Sequence, residues 1–157
     1  MIYVPPYSGF TNATDRYNSL ILVSTVNESH LFRFGEGADV STLKRMETTH
    51  IGGLITDQPT LAFSNFYRRQ GKEYVNSSLV VQIVATGAYL FEWDSIMNTY
   101  VERMKWNVPP AAPPAIPTQV VVVAACVNAS QVALALSGGI IVWLSIESNR
   151  ANLELKS

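Results

Sequence analysis

The sequence predicts an all-β chain that forms part of a β-propeller, with about two to three four-stranded antiparallel blades. A hairpin pattern of two apolar runs around a short turn occurs three times, at Leu20–Phe34, Leu79–Trp93 and Val132–Ile146. These turns lie roughly 50 to 60 residues apart, a spacing typical of a repeated supersecondary unit. No stretch has the apolar periodicity of an ordinary amphipathic helix. An immunoglobulin-like sandwich also fits several short strands, but the repeat favours blades.

The first blade is predicted to follow an irregular segment. Residues 1–14 are rich in Pro, Gly, Ser and Asn and lack periodicity, which predicts a lead-in before a partial propeller domain over residues 15–157. The first hairpin is predicted at Ser19–Val26 and Ser29–Phe34. A weaker outer strand is expected within Asp39–Met46.

The second blade is predicted from four apolar or alternating stretches: Thr60–Tyr67, Leu79–Val84, Tyr89–Trp93 and Tyr100–Lys105. In the last stretch, Tyr100, Glu102, Met104 and Trp106 alternate with Val101, Arg103 and Lys105. Such alternation is typical of a strand with one exposed face. We therefore predict that this strand lies at the outer edge of its blade.

Two segments outside the apolar runs need a separate interpretation. Arg68, Arg69 and Lys72 form a local basic cluster, which we interpret as a solvated loop. Five of the eight prolines fall within Pro109–Pro117. Proline contributes no amide donor to a helix or sheet and favours extended polyproline II, so this segment is predicted to be a semi-rigid surface insertion.

The third blade is the most complete in the sequence. Its four predicted strands are Gln119–Val127, Gln131–Ser137, Ile140–Ile146 and Ala151–Lys156. The Ser137-Gly138-Gly139 turn supplies the positive φ that a tight hairpin requires. Several of these runs are apolar on both faces, which indicates strands covered on each side by neighbouring blades.

Composition limits the classes of function. The chain has 157 residues, of which 48% are hydrophobic, so it can bury a core. Eleven Lys and Arg residues against twelve Asp and Glu give a net charge of -1, which does not favour direct binding to a phosphate backbone. The lone cysteine, Cys126, lies in an apolar run with no partner for a disulfide or zinc site. These features indicate an intracellular, reducing environment.

Candidate catalytic and metal-binding residues are few. His30 and His50 show no metal-ligand spacing. Asp57 and the pair Glu92 and Asp94 are the candidate general acids and bases, but their surroundings in the sequence indicate no burial that would separate their pKa values. We therefore predict no enzyme activity and no catalytic, cofactor or metal site.

Four segments, read together, resemble successive stretches of a family of large three-propeller proteins: Ser19–Phe34, Gly52–Phe66, Ser77–Trp93 and Val122–Ile146. The strongest signals are Gly-x-x-x-x-x-Pro-Thr at Gly53–Thr60, the Val81-Gln82 pair, and Val-Asn-x-x-Gln-Val at Val127–Val132. This family comprises damage-specific DNA-binding protein 1, the largest propeller subunit of splicing factor 3b, and the A subunit of the cleavage and polyadenylation specificity factor. Order and spacing resemble the opening blades of its second propeller.

The resemblance implies a non-enzymatic scaffold in the nucleus, with the cytoplasm as a second location. In the damage-binding branch, the second propeller docks the cullin arm of a ubiquitin ligase that acts in DNA repair. The other branches organise splicing and 3′-end processing of mRNA, and nucleic acid is then reached indirectly, through the complex. Ser24–Phe34 resembles the damage-binding branch, which we favour, whereas Val127–Ser137 resembles the splicing branch. Arg68–Asn76 and Pro109–Pro117 look like insertions relative to the family.

Two or three blades cannot close a propeller ring, so apolar blade faces are expected to remain exposed and to cause self-association. Trp93, Trp106 and Trp143 are interpreted as core or blade-to-blade packing residues, with one or two able to anchor a partner. The second alternative is a stand-alone β-sandwich that binds a small ligand.

Overall fold

The computed structural model describes residues 2–3, 20–34, 43–45, 53–70, 73–94, 96–97, 99–110, 120–127, 131–148 and 153–156. Every regular element within these ranges is a β-strand. The strands are β1 Ile2–Tyr3, β2 Leu20–Ser24, β3 Ser29–Phe34, β4 Leu43–Arg45, β5 Thr60–Gln70, β6 Glu73–Val84, β7 Gly87–Asp94, β8 Thr99–Asn107, β9 Val122–Val127, β10 Gln131–Leu136, β11 Ile141–Ser148 and β12 Leu153–Lys156. The described part of the chain contains no helix long and apolar enough to span a membrane.

The strands form three four-stranded antiparallel sheets in which each strand pairs with its neighbours in sequence. Sheet 1 has the order β1-β2-β3-β4, sheet 2 the order β5-β6-β7-β8, and sheet 3 the order β9-β10-β11-β12. The three repeated hairpins of the sequence are the two central strands of each sheet. The prediction of an all-β partial propeller with four-stranded blades is confirmed.

The strand bounds differ from the prediction mainly in the hairpin between β5 and β6. Arg68 pairs with Val75 and Arg69 with Tyr74, so the two strands continue well beyond the predicted ends. Arg68 and Arg69 therefore lie in a strand, and the loop interpretation of these two residues is wrong. That Arg68–Asn76 is an insertion relative to the family stays a prediction. Aromatic and β-branched residues on both sides of the turn favour a strand, and this preference outweighs the local charge.

Sheet 1 gains its first strand from the segment that the sequence left without structure. Ile2–Tyr3 pairs with β2, with Tyr3 opposite Leu22. A strand of two residues has no readable alternation, which is why the pattern of residues 1–14 did not show it. The outer strand β4 lies within the predicted Asp39–Met46 range.

Sheet 2 lies between the other two sheets and is covered on both faces. Val80 and Val81, adjacent on β6, are fully buried in two different hydrophobic clusters. The cluster toward sheet 3 contains Val81, Ile83, Ala88, Leu90, Val122, Val132, Leu134, Leu136 and Leu144. The cluster toward sheet 1 contains Leu22, Leu31, Leu54, Val80, Phe91, Trp93 and Tyr100. Because successive side chains of a strand point to opposite faces, one face of sheet 2 packs against sheet 1 and the other packs against sheet 3.

Corresponding strands of sheets 2 and 3 lie beside each other. The first strands, β5 and β9, are in contact, and so are the last strands, β8 and β12. Two sheets that repeat the same strand order side by side are related as consecutive blades of a propeller. A self-contained sandwich of two facing sheets does not fit this three-sheet series.

The edge strand β8 departs from its predicted alternation. A bulge shifts the register so that Met104 pairs with Leu90, whereas Glu102 pairs with Phe91. Tyr100 consequently packs toward sheet 1, while Met104 and Trp106 pack toward sheet 3. The prediction that Tyr100 and Trp106 share a face is wrong, because the extra residue in a bulge reverses the side to which later side chains point.

Candidate protein-interaction surfaces

A buried glutamine connects β6 to the linker that precedes β5. The Gln82 Oε1 atom accepts a hydrogen bond of 2.8 Å from the Ile55 amide, and its Nε2 atom donates to the Ile55 carbonyl at 2.7 Å. The same Nε2 atom donates to the Thr60 Oγ1 atom at 2.8 Å. Gln82 has no exposed surface. Its three hydrogen bonds therefore hold the linker in place without competition from water.

The network extends from Thr60 into sheet 1. The Ser29 and Thr60 hydroxyls are 2.8 Å apart, and the Ser29 hydroxyl donates to the Gln58 carbonyl at 2.9 Å. The Thr60 amide donates to the Ser24 Oγ atom at 2.8 Å. Sheets 1 and 2 are consequently joined by buried polar contacts as well as by their apolar cluster. Gln82 and Thr60 are residues of the sequence signals singled out above.

The linker also requires a glycine at its start. Gly53 has φ +105°, and a Cβ atom placed there would lie 1.6 Å from the Tyr100 carbonyl oxygen. No other residue type fits such a close approach of the linker to β8. The signal at Gly53–Thr60 thus has a structural explanation, since it lets the linker lie against two sheets.

The face of sheet 3 that points away from sheet 2 is an exposed apolar surface. Ile141 and Trp143 on β11 are 66% and 63% exposed, and Val123 on β9 is 56% exposed. Ile140, in the turn before β11, is 58% exposed. We name these four residues the sheet 3 patch. Exposed apolar side chains grouped on one face are typical of surfaces that contact another protein surface.

The turns between central strands and the linkers between sheets lie at one end of the stack. The Thr86 carbonyl accepts a hydrogen bond from the Val108 amide, and the Ala85 carbonyl accepts one from the Val122 amide. Val108 and Val122, which flank the predicted proline insertion, are thus anchored to the β6–β7 turn, while residues 111–119 lie outside the described residues. The Gly139 φ of +79° confirms the predicted positive φ in the β10–β11 turn.

The β7–β8 turn exposes two further apolar side chains. Ile96 is 95% exposed and Met97 is 63% exposed. Their amides donate to the Asp94 Oδ1 atom at 2.8 and 3.0 Å. The Asp94 side chain thus holds the turn through these two hydrogen bonds, a common role for Asp in turns.

The candidate acids and bases are distributed over separate contacts. The Glu92 Oε2 atom accepts a hydrogen bond of 2.7 Å from the Arg103 Nε atom. The His30 Nε2 atom lies 3.1 Å from the Glu28 Oε1 atom, and Asp57 is exposed in the linker. His50 and the side chain of Cys126 lie outside the described residues. Among the side chains that the structure describes, no three His, Cys, Asp or Glu residues are grouped to hold a metal ion.

The three tryptophans lie in three different environments. Trp93 is buried against Tyr100, with ring centroids 5.0 Å apart in an edge-to-face arrangement. Trp106 is half-buried against the cluster between sheets 2 and 3. The packing interpretation is confirmed for these two residues, whereas Trp143 is largely exposed. That Trp143 anchors a partner stays a prediction.

Comparison with known families supports this arrangement of blades. A family model described as the RSE1/DDB1/CPSF1 second beta-propeller matches residues 7–157. The chain belongs to this family. The match confirms the resemblance in the sequence, and it begins earlier than the predicted domain start at residue 15. No curated protein sequence matches the chain.

Membership in the RSE1/DDB1/CPSF1 second-propeller family makes the chain a scaffold-type module that acts in protein-interaction complexes. The sequence predicted the packing role of the apolar runs and the exposure of apolar blade faces, but not which residues form the surfaces described here. Ile96 and Met97 gave no signal, because isolated apolar residues in turns are ordinary in sequences. Gln82 was recognised as part of a family signal, and the structure adds its bonding role.

Proposed function

We propose that the chain is part of a non-enzymatic nuclear scaffold that holds protein partners through propeller blades. The observation that carries this proposal is the three-sheet series with an exposed apolar face, in a chain of the RSE1/DDB1/CPSF1 second-propeller family. Repeat scaffolds bind partners through extended surfaces rather than through an enclosed site. Glu92 forms a surface contact with Arg103, and Asp94 accepts a hydrogen bond within the β7–β8 turn. These contacts support a role without catalysis.

We favour a scaffold of the damage-specific DNA-binding protein 1 type, which serves a cullin-RING ubiquitin ligase in DNA repair. Support comes from the resemblance of Ser24–Phe34, which covers the end of β2, the β2–β3 turn and β3. The alternative is a scaffold for pre-mRNA splicing or 3′-end processing, supported by the resemblance of Val127–Ser137, which covers β10. Near-neutral charge favours contact with nucleic acid through the complex in either branch.

Affinity purification of the tagged full-length gene product from nuclear extract tests the proposal. We expect a cullin and its associated ligase subunits to be enriched over an untagged control. Enrichment of spliceosomal or 3′-end-processing subunits instead would move the chain to the alternative branch. Enrichment of neither group would contradict the scaffold assignment, and exclusion of the tagged protein from the nucleus would contradict the proposed location.

A further part of this proposal is that the chain self-associates through exposed blade faces such as the sheet 3 patch. Burial of these apolar side chains stabilises an interface by about 25 cal/mol for each Å² of apolar surface removed from water. The same patch is available to another blade of a partner. The two cases differ in which sheet covers the patch.

A further inference from the structure

The β5–β6 hairpin and the β7–β8 turn lie at the same end of sheet 2, the middle sheet of the series. Each strand runs antiparallel to its neighbours in the order β5-β6-β7-β8, which places these two connections together. Neighbouring sheets pack on the two faces of sheet 2, whereas the β7–β8 turn lies at the end of the sheet. The exposure of this turn therefore does not depend on how many blades complete the propeller.

The β7–β8 turn presents a preformed apolar pair. Ile96 and Met97 are both exposed, and the amides of both residues donate to the Asp94 carboxylate. Because these hydrogen bonds already hold the backbone of the turn, a partner that covers the two side chains has little backbone to order. One exposed apolar residue is ordinary on a protein surface, but a held pair at the tip of a turn is suited to anchor a partner.

The β5–β6 hairpin ends close to this turn. Val80 of β6 pairs with Asn65 on one side and with Phe91 on the other. From this level, β5 continues five residues to Gln70 and β7 continues three residues to Asp94. At about 3.3 Å per residue, the hairpin projects about 7 Å further than β7, and β5 lies two strand spacings, about 10 Å, from β7. One partner segment can therefore contact both the hairpin and the turn.

Two arginines give the hairpin a positive charge. Arg68 and Arg69 lie on β5 in the last part of the hairpin, where β5 pairs with β6. The acidic residue of these two strands is Glu73, so the paired strands carry more positive than negative charge. We name Arg68, Arg69, Ile96 and Met97 the sheet 2 turn surface.

We propose that the sheet 2 turn surface binds a short acidic segment of a partner protein that also carries a large apolar side chain. The arginines pair with carboxylates of the segment, because a guanidinium group donates two parallel hydrogen bonds to a carboxylate. Ile96 and Met97 cover the apolar side chain, and the flexible methionine adapts to its shape. The separation of about 10 Å equals about three residues of an extended segment, so a short segment reaches both parts of the surface.

Charge and chemistry favour this occupant over two others. A second copy of the chain, bound through the same surface, would bring the same arginines together, and like charges across an interface oppose association. A nucleic acid would pair its phosphates with the arginines but would leave Ile96 and Met97 without a matching contact. This inference rests on the proposed function, because it names a surface through which the scaffold holds a protein partner.

Fluorescence anisotropy of the 157-residue chain tests the proposal with labelled peptides. The probe is a peptide that alternates Glu with Leu or Phe, and the comparison peptide has Lys in place of every Glu. We expect the acidic peptide to bind about tenfold more tightly, and we expect Arg68→Glu and Ile96→Ser each to weaken its binding about tenfold. Far-ultraviolet circular dichroism establishes that each variant keeps its strands.

Two matched controls lie outside the sheet 2 turn surface. Lys105→Glu makes the same change of charge on β8, and Val26→Ser removes an exposed apolar side chain from the β2–β3 turn. Both variants should bind the acidic peptide as the wild type does. Salt separates the two parts of the surface, because the screening length falls from about 10 Å at 0.1 M to about 3 Å at 1 M. The Ile96→Ser chain should keep the salt dependence of the wild type, whereas the Arg68→Glu chain should lose most of it.

Three results would overturn the inference. The first is equal binding of the acidic and basic peptides, or no binding of the acidic peptide at about 1 mM, the range of very weak complexes. The second is an unchanged affinity of the Arg68→Glu or Ile96→Ser chain. The third is a single-stranded RNA probe that binds more tightly than the acidic peptide and is weakened by Arg68→Glu alone, which would make the surface a nucleic-acid contact. These failures leave the affinity purification of the full-length gene product unaffected, so the two proposals are tested separately.

Discussion

Replacing Gln82 by leucine removes the polar contacts that join β6 to the linker while leaving a side chain of similar size. Gln82 makes three hydrogen bonds, two to the Ile55 backbone and one to the Thr60 hydroxyl. A net loss of about 1 kcal/mol for each buried bond predicts a destabilisation of about 3 kcal/mol. With a urea slope of about 2 kcal/mol/M, the unfolding midpoint falls by about 1.5 M.

Equilibrium urea unfolding measures this change at one fixed protein concentration, because self-association shifts apparent stability. Gln131→Leu is the matched control, since Gln131 is exposed at the start of β10 and its replacement is expected to cost less than about 0.5 kcal/mol. A double-mutant cycle with Thr60→Val is expected to show a coupling of about 1 kcal/mol. If Gln82→Leu costs no more than Gln131→Leu, the buried network does not hold the linker and the reasoning fails.

Three other substitutions test separate parts of the account. Gly53→Ala is expected to cost about 3 kcal/mol or more, from positive φ and collision with the Tyr100 carbonyl, whereas Gly138→Ala, in open space, should leave the thermal midpoint nearly unchanged. Burial raises the pKa of Tyr100 above its ordinary value, so the native chain keeps a proton that the unfolded chain releases above about pH 10. Stability is therefore lost as pH rises above that value, and Tyr100→Phe should flatten the alkaline dependence of the melting temperature. Glu92→Gln breaks a half-exposed ion pair with Arg103 and should lower the free energy of unfolding by about 0.5 kcal/mol in low salt. The difference from wild type should vanish in 1 M salt, because the screening length is then only about 3 Å. A larger loss of stability that persists in salt would contradict a surface role.

The sequence predicted the fold wherever a pattern was long enough to read. The central hairpins β2–β3, β6–β7 and β10–β11 were each marked by two apolar runs and a turn, and their strands were located within a few residues. The end of β5 and the start of β6 were not located, because the basic residues near the turn between them are typical of a loop. The two residues of β1 carry no periodicity, so only the open edge of β2 explains their position.

The candidate surfaces were predicted less completely, for physical reasons that concern the register. A single bulge in β8 places Tyr100 and Trp106 on opposite faces, and the sequence near Arg103 gives no signal for this bulge. Burial of Trp93 and exposure of Trp143 depend on which sheet lies beside each strand, not on the strand's own pattern. The expectation of open blade faces did follow from the sequence, because it required only the number of blades.

Methyl nuclear Overhauser effects from Val80 and Val81 test the stacked sheets most directly. These adjacent residues lie on opposite faces of β6, in the clusters toward sheet 1 and sheet 3. We expect contacts from Val80 to Leu22 and Leu31, and contacts from Val81 to Leu134, in a selectively methyl-labelled sample. Contacts from both valines to the same sheet, or solvent exposure of either valine, would contradict a middle blade covered on both sides.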